Sequence, residues 1–339
     1  MAQGSISSLL SHYPAWAQPI SAVSPLGNAG GLSGSAIWRY SAAVGELAIR
    51  AWPPGVTSLA HVLTIHGWLR EASDPDRLPI PVPLPALDGQ TACELDGRCW
   101  EIAPWMPGAP DLGRPPSEVR VRAAFAALAQ LHGRLSHHQR MVTSPGLRIR
   151  VSELEHFAGI GFDRLQSALA KCPDDERVAD ARRWLGLARW ALPGILPAAR
   201  EAASRVVPVQ PCLRDARPDH FLFEANRLTG LIDFGAMGFE TVAADLARLL
   251  GEWLADFEQL RALGLAAYEQ VRPLAPDERA LLNPFEAIAD LLLAGHWITW
   301  HFLDQRTFAA PGAVGQGIAR GLARLERLAN RLSITKLQS

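Results

Sequence analysis

Lysine is nearly absent from this chain. Of its 339 residues only Lys171 and Lys336 are lysines, so arginine carries almost all of the positive charge. Acids and bases are interspersed and the formal net charge is −1, which leaves no basic stripe for a nucleic-acid backbone. We therefore expect no nucleic-acid partner. The first 170 residues contain no lysine at all.

Cysteine and long apolar runs are scarce as well. The four cysteines show neither a CxxC pair nor zinc-ligand spacing, which favours buried thiols over a disulfide framework: Cys93, Cys99, Cys172 and Cys212. No run approaches the ~20 uninterrupted apolar residues of a membrane span, and the N-terminus lacks a basic stretch followed by an apolar one. We expect a protein that is not in a membrane, with a cytoplasmic location.

The first hundred residues read as short strands and one helix. Residues 27–40 form a glycine-rich turn that runs into a strand, and residues 45–53 form a second strand closed by two prolines, which together predict a hairpin. Apolar residues recur with helical spacing over 58–72, and residues 97–108 predict a further strand. A small antiparallel sheet with one helix fits this segment.

Helical patterns dominate after Gly108. Over 117–135 the apolar residues recur at spacings of three and four, with Ser117 placed as an N-cap. Further helical patterns cover 150–204 and the chain after Asp245. The sequence predicts an α+β fold of two lobes, with residues 1–107 as a small lobe and 108–339 as a larger, mainly helical one.

An island of β character interrupts the helices and contains two notable acids. Asp215 lies in PCLRDARPDHFLF, residues 211–223, and Asp233 follows eighteen residues later in GLIDFG. Asp233 sits at the end of an apolar strand, where a buried acid is costly unless a cation or a hydrogen-bond donor meets it. This spacing is the layout of a phosphoryl-transfer loop with a base and a metal carboxylate.

These motifs resemble those of the aminoglycoside phosphotransferase and choline kinase family. The resemblance implies a bilobal protein-kinase-like fold that phosphorylates a hydroxyl of a small molecule with ATP or GTP and Mg²⁺ or Mn²⁺. It implies Asp215 as the catalytic base and Asp233, in a DFG triplet, as the metal ligand. It spans about residues 20–305, but only 213–249 are specific.

One residue departs from the family pattern. Five positions after the catalytic Asp the family has Asn, and this chain has His220. Imidazole suits Mn²⁺ or Zn²⁺ better than Mg²⁺. His220 either ligates a softer metal, or orients Asp215 through a hydrogen bond, or marks lost turnover, or is an ordinary loop histidine, and Asp219 is an alternative oxygen ligand.

The N-terminal lobe is expected to bind the nucleotide. The resemblance places Arg50 where kinases have the phosphate-binding lysine, and it leaves only Glu71, late in the predicted helix, as the acid partner. In the glycine-rich turn, backbone N–H groups of Gly31, Ser33 and Gly34 either approach phosphates or belong to a free loop. The family's hinge matches EIAPWMPG, where Pro104 offers a carbonyl and Met106 an N–H to adenine.

Three further residues support the site or the acceptor. Asp245 looks like the family acid that caps the next helix and braces the catalytic loop. Trp297 and Trp300 either form an aromatic wall for the acceptor or belong to the core. Asp215 itself has a plainer explanation, an ion pair with Arg214 or Arg217.

The sequence predicts an ATP-dependent phosphotransferase acting on a small-molecule hydroxyl. Asp215 is the expected base, Asp233 and His220 the expected metal ligands, and Arg50 the phosphate cation. The alternatives are a pseudokinase that binds nucleotide with little turnover, and a metal-dependent transferase of other chemistry. The acceptor and the oligomeric state stay open.

Overall fold

The computed structural model describes residues 2–27, 34–55, 57–308, 310 and 312–338. The chain divides into two compact units, each built from three separate segments. The first unit contains Met1–His138, Arg217–Gly238 and Asp256–Pro273. The second contains Gln139–Ala216, Phe239–Ala255 and Leu274–Ser339. The predicted small lobe, residues 1–107, falls within the first unit, and the lobe boundary at residue 107 stays a prediction.

The first unit is built on a five-stranded antiparallel sheet in the order β1-β2-β3-β5-β4. Its strands are β1 Ser24–Pro25, β2 Ala36–Ala42, β3 Gly45–Ala51, β4 Cys93–Leu95 and β5 Arg98–Pro104. Alternate residues of β3 are buried, so Leu47, Ile49 and Ala51 face the core, and Arg50 projects from the opposite face. The predicted hairpin is confirmed in β2 and β3.

Two helices accompany this sheet, and only the second was predicted. Helix α2, Leu59–Ala72, begins at Ser58, whose side chain accepts the His61 N–H. Helix α1, Ala2–Ser11, buries Ile6, Leu9 and Leu10 in the same core as the sheet. In the sequence, the signal for α1 is this set of three apolar residues at spacings of three and one.

The rest of the first unit joins two helices to a small sheet. Helix α3, Glu118–Arg134, packs against α8, Glu258–Glu269, where a side-chain carbon on Gly264 would collide with Phe125. Ser117 occupies the N-cap position of α3 but makes no side-chain cap bond; its own N–H donates to Asp111 at 2.9 Å. The small sheet has the order β10-β9-β6, from β6 Ala109–Pro110, β9 Phe221–Glu224 and β10 Arg227–Leu231.

The second unit is mainly helical. Its helices are α4 Pro145–His156, α5 Phe162–Lys171, α6 Val178–Ser204, α7 Val242–Trp253, α9 Pro276–Ala280, α10 Leu282–Phe302 and α11 Ala313–Gln338. Helices α6, α10 and α11 pack together around Trp184, whose indole N–H donates to the Leu291 carbonyl at 3.0 Å. A three-stranded sheet in the order β11-β8-β7 is formed by β7 Arg140–Thr143, β8 Val206–Cys212 and β11 Gly238–Glu240.

The cysteines form no disulfide in the described part of the chain. Cys99 and Cys212 are buried as expected, and burial raises the pKa of the half-buried Cys93 thiol to about 11. The expectation of buried thiols is wrong for Cys172, which is exposed just after α5. No helix among the described residues has both the length and the apolar character of a membrane span.

Candidate active site

The loop that holds Asp215 is fixed by its backbone. Strand β8 ends at the buried Cys212, and the next two N–H groups, from Leu213 and Arg214, donate to the two carboxylate oxygens of Asp245 at 2.7 and 2.6 Å. Arg214 has a left-handed φ of 64°, which turns the chain immediately before Asp215. The Asp215 side chain is about one-third exposed, so a ligand can reach its carboxylate.

Asp245 braces the loop but does not cap the helix. Helix α7 begins at Val242 after Thr241, and Asp245 lies at the fourth residue of the helix with no exposed surface. The predicted capping role is therefore wrong, while the predicted brace of the catalytic loop is present in the geometry. A buried carboxylate needs hydrogen-bond donors, and the two loop N–H groups provide them to Asp245. The same two hydrogen bonds order the loop.

Asp215 forms an ion pair with Arg248, which the sequence analysis missed. Arg248 lies three residues after Asp245 on α7, and its Nη2 is 3.0 Å from Asp215 Oδ1. Arg214 and Arg217 were the expected partners, but Arg217 instead binds Asp219 with two nitrogens. The i, i+3 spacing of Asp245 and Arg248 is the signal that places both side chains near the loop.

A buried chain of charges continues from Arg248. Its Nη1 lies 3.3 Å from Glu252 Oε1, and Glu252 in turn pairs with Arg324 of α11 at 3.1 Å. Arg324 donates from Nε to Asp290 of α10 at 2.7 Å. Glu252, Arg324 and Asp290 are each at most one-tenth exposed, and each has more than one partner of opposite charge, since Arg320 also pairs with Glu252 and Arg331 with Asp290.

The second acid, Asp233, belongs to the first unit together with His220. His220 immediately precedes β9 and Asp233 follows β10, and the Ile232 N–H donates to the His220 carbonyl at 2.9 Å, which closes the open end of this hairpin. The imidazole Nε2 lies 3.6 Å from Asp233 Oδ2. His220 is buried, Asp233 is half-exposed, and Asp233 has a left-handed φ of 60°.

These two side chains fit a divalent cation of mixed nitrogen and oxygen preference. The distance between His220 Nε2 and Asp233 Oδ2 exceeds a normal hydrogen bond, which leaves room for a shared ligand between the two atoms. The buried His220 Nδ1 has no hydrogen-bond partner among the described residues. Asp219, the alternative oxygen ligand, is held by Arg217. Burial alone would raise the pKa of Asp219, but this hydrogen-bonded pair lowers it below its usual range.

Arg50 lies beside Asp233. Its Nη2 is 3.5 Å from Asp233 Oδ1 and 3.5 Å from the Ser35 hydroxyl, and its guanidinium stacks over Trp52 at 4.4 Å. A side-chain carbon on Gly235 would collide with the guanidinium, so the glycine of the DFG triplet permits this approach. The structure thus brings three predicted residues together: Arg50, His220 and Asp233.

The acid that accompanies Arg50 comes from a strand and not from a helix. Arg50 is directly opposite Glu101 in the pairing of β3 with β5. Glu101 Oε2 accepts the Trp52 indole N–H at 2.6 Å and lies 2.9 Å from His66 Nε2 of α2. Burial would raise the pKa of Glu101, but the His66 hydrogen bond and the charges of His66 and Arg50 lower it overall. Glu71, the expected partner, instead contacts His137 and His138.

Apart from Arg50, three of the five residues predicted to contact the nucleotide lie in the described part of the chain. Gly31 and Ser33 lie outside the described residues, and Gly34 precedes β2 with a left-handed φ of 77°, which glycine adopts without strain. Pro104 ends β5, and Met106 packs so closely on Gly230 of β10 that a side-chain carbon there would collide with it. The nucleotide roles of these residues stay predictions.

The two tryptophans of α10 differ in exposure. Trp297 is 8% exposed, contacts Trp300 edge-on at 5.3 Å, and lies where a side-chain carbon on Gly317 of α11 would collide with it. The core explanation therefore applies to Trp297. Trp300 is half-buried and stacks on His296 at 5.9 Å, and its proposed contact with an acceptor stays a prediction.

Comparison with known proteins identifies relatives of one kind. The model of the phosphotransferase enzyme family matches residues 26–285. The homoserine kinase of Gluconacetobacter diazotrophicus is 29% identical over 222 residues, which cover 60% of this chain and 60% of that protein. The homoserine kinase of Paraburkholderia phymatum is 28% identical over 66% of each chain. This chain thus matches less than two thirds of the length of each of these relatives.

A solved structure agrees in fold. A microcompartment-associated aminopropanol kinase has a TM-score of 0.66 at 17% identity and covers 97% of each chain. This likeness confirms the predicted α+β, protein-kinase-like fold. The pseudokinase alternative finds no support among the two curated relatives, because both are kinases.

Proposed function

This chain belongs to the phosphotransferase enzyme family, and we propose that it transfers the γ-phosphoryl group of ATP or GTP to a hydroxyl of a small metabolite. The braced loop of Asp215 carries the proposal. Two N–H groups bound to one buried carboxylate hold the backbone before this acid in place, and the exposed part of the Asp215 side chain stays accessible to an acceptor, as a positioned base requires. Phosphoryl transfer depends chiefly on such positioning and on charge neutralisation.

The residues divide the reaction between them. Asp215 accepts the proton of the acceptor hydroxyl. The hydroxyl oxygen forms a bond to the γ-phosphorus, and the bond from that phosphorus to the nucleoside diphosphate breaks. Arg50 supplies positive charge toward the phosphate oxygens, and Glu101, directly opposite it in the pairing of β3 with β5, provides the neighbouring negative charge. Asp233 and His220 would hold a divalent cation, Mg²⁺ or Mn²⁺, which when bound neutralises phosphate charge.

The acceptor is proposed to carry a carboxylate as well as its hydroxyl. Arg248 lies 3.0 Å from Asp215, and its buried Nε has no hydrogen-bond partner in the described part of the chain. Burial lowers the pKa of Arg150, against the nearby charge of Glu240, and the charges of Arg248 and Arg214 lower it further. Arginine binds carboxylates through two parallel hydrogen bonds, so these cations suit an anionic substrate group.

A hydroxy amino acid fits this chemistry. The homoserine kinases to which the chain is similar are named for such an acceptor. We propose homoserine, or a closely related hydroxy acid with an amino group, as the acceptor class. An amino alcohol without a carboxylate would not make this proposed contact with the Arg248 guanidinium.

The test is a coupled assay of nucleoside diphosphate release. ATP or GTP is supplied with Mg²⁺ or Mn²⁺, and homoserine is compared with serine, aminopropanol and choline. We expect homoserine to give the highest kcat/KM, and Asp215→Asn to lower kcat by about a hundredfold or more with nucleotide binding retained. Asp163→Asn, which changes an exposed acid of α5, is the matched control.

Two outcomes would contradict the proposal. Turnover that survives in Asp215→Asn would remove Asp215 as the base. Equal rates with homoserine and aminopropanol would show that the acceptor needs no carboxylate, and the kinase assignment would still stand.

A further inference from the structure

A histidine pair and a glutamate converge on the surface of the first unit, and none of the three has a part in the proposed reaction. Glu71 lies in the last turn of α2, and His137 and His138 lie in the short 3₁₀ helix Ser136–His138 after α3. His138 Nε2 is 2.9 Å from Glu71 Oε2, and His137 Nε2 contacts the other carboxylate oxygen. We propose that these three side chains form a binding site for a divalent metal ion of the zinc class.

The geometry brings three ligand atoms to one place. The two imidazole nitrogens and a carboxylate oxygen lie within 4.8 Å of one another. The imidazole rings are 4.2 Å apart between centroids and inclined by 41°, and both Nε2 atoms contact the Glu71 carboxylate. Binding an ion at about 2.0–2.2 Å from each atom requires only small adjustments of the three side chains and no change of the backbone.

The ligand types select the metal. Two neutral imidazoles and one carboxylate suit Zn²⁺, and also Ni²⁺ or Cu²⁺, whereas Mg²⁺ and Ca²⁺ prefer oxygen ligands alone. The His137 side chain is 57% exposed, and those of Glu71 and His138 are about one-third exposed. Water can therefore complete a tetrahedral shell at the open side.

The segments that provide the ligands are already held together. Asp74, two residues beyond α2, forms an ion pair with Arg134 at the end of α3, which joins the same two segments beside the ligands. His138 also packs edge-on against Trp68 of α2 at 6.4 Å between ring centroids. This scaffold reduces the conformational entropy that binding an ion must overcome.

Exposed ion pairs are the competing explanation. Protonated His137 and His138 would attract Glu71 without any metal, and such exposed pairs contribute little to stability. The two explanations differ in a measurable way. Ion pairs need both histidines protonated and show no preference among divalent ions, whereas metal ligation needs neutral imidazoles and favours Zn²⁺ over Mg²⁺.

The experiment is zinc titration of the full chain by calorimetry, after removal of any histidine tag. Millimolar Mg²⁺ and a His220→Ala background keep the candidate active site from contributing. We expect one equivalent of Zn²⁺ to bind and the double variant His137→Ala/His138→Ala to lose this binding. His61→Ala, which removes an exposed histidine from the same helix α2, is the matched control and should bind as the parent does.

Two additional measurements keep the test decisive if the double variant is unstable. Glu71→Gln retains the side-chain volume, and we expect it to weaken zinc binding by about tenfold or more. Co²⁺ should give visible absorption bands of a tetrahedral nitrogen and oxygen site in the parent and in His61→Ala. Absence of zinc binding in the parent, or unchanged binding in the double variant, would overturn the proposal.

Discussion

The imidazole of His66 and the carboxylate of Glu101 are buried against each other, with Nε2 2.9 Å from Oε2. The other imidazole nitrogen of His66 lies 2.8 Å from the Thr91 hydroxyl, which fixes the ring. In protein kinases the acid beside the phosphate-binding cation comes from a helix. Here the helix provides His66 and strand β5 provides the acid, so the cation, Arg50, has its acidic neighbour within its own sheet.

Replacing Glu101 by Gln should destabilise the fold and weaken nucleotide binding. The change removes the charge that faces His66 and Arg50 and leaves buried donors poorly matched, at a cost of about 1–3 kcal/mol in the free energy of unfolding. Urea denaturation at neutral pH measures this cost, and initial rates at varied ATP concentration measure the KM for ATP. Glu94→Gln, an exposed change on neighbouring β4, should alter neither. Equal stability of the two variants would refute the role of Glu101.

The same residue predicts how stability responds to acid. The pKa of Glu101 is lowered in the folded protein, so its contribution is fully present above its unfolded value of 4.5 and is lost as the pH falls through the lower folded value. The parent should therefore lose more free energy of unfolding below pH 4.5 than Glu101→Gln does. Denaturation series from neutral pH downward test this difference. Parallel curves for the two proteins would show that Glu101 does not titrate with folding.

The sequence predicted the strands and helices whose patterns are local. The β2–β3 hairpin, α2 and α3 carry their periodicity and end signals in adjacent residues. Asp215 and Asp233 were recognisable from their spacing in one segment. Partners that approach only through folding were not, because Glu101 and His66 are 35 residues apart, and the spacing of Arg248 links it to Asp245 but not to Asp215. Glu71 lies on the expected helix, but α2 directs its side chain toward His137 and His138, and the acid opposite Arg50 is Glu101 of strand β5.

Asp245→Asn should lower both kcat and the free energy of unfolding. The amide offers one oxygen to the loop and presents an NH₂ group to the second N–H, so either Leu213 or Arg214 loses its acceptor. We expect a loss of about 1–3 kcal/mol in unfolding free energy and a reduced kcat with unchanged KM for nucleotide. Steady-state kinetics beside urea denaturation measure both. Unchanged kcat would show that the loop does not need this brace.

Arg248→Ala should raise the KM for a carboxylate-bearing acceptor. The guanidinium beside Asp215 is proposed to bind that carboxylate, and loss of a charge-assisted bond costs about 1.5–3 kcal/mol, or roughly ten- to a hundredfold in KM. Arg248→Lys should recover part of this loss, because the charge remains without the planar fork. The KM for nucleotide should stay the same in both variants. An equal rise for acceptors with and without a carboxylate would point to a general disturbance of Asp215.

His220→Asn should shift the metal preference from Mn²⁺ toward Mg²⁺. The imidazole Nε2 faces Asp233 Oδ2 at 3.6 Å, and an amide oxygen in its place would give the hard ligand that Mg²⁺ prefers. The measurement is the ratio of kcat/KM with Mn²⁺ to that with Mg²⁺, which should fall relative to the parent. His61→Asn, a change of an exposed histidine on α2, should leave the ratio as it is. If both variants keep the parent ratio, His220 acts on Asp233 or the hairpin without ligating the metal.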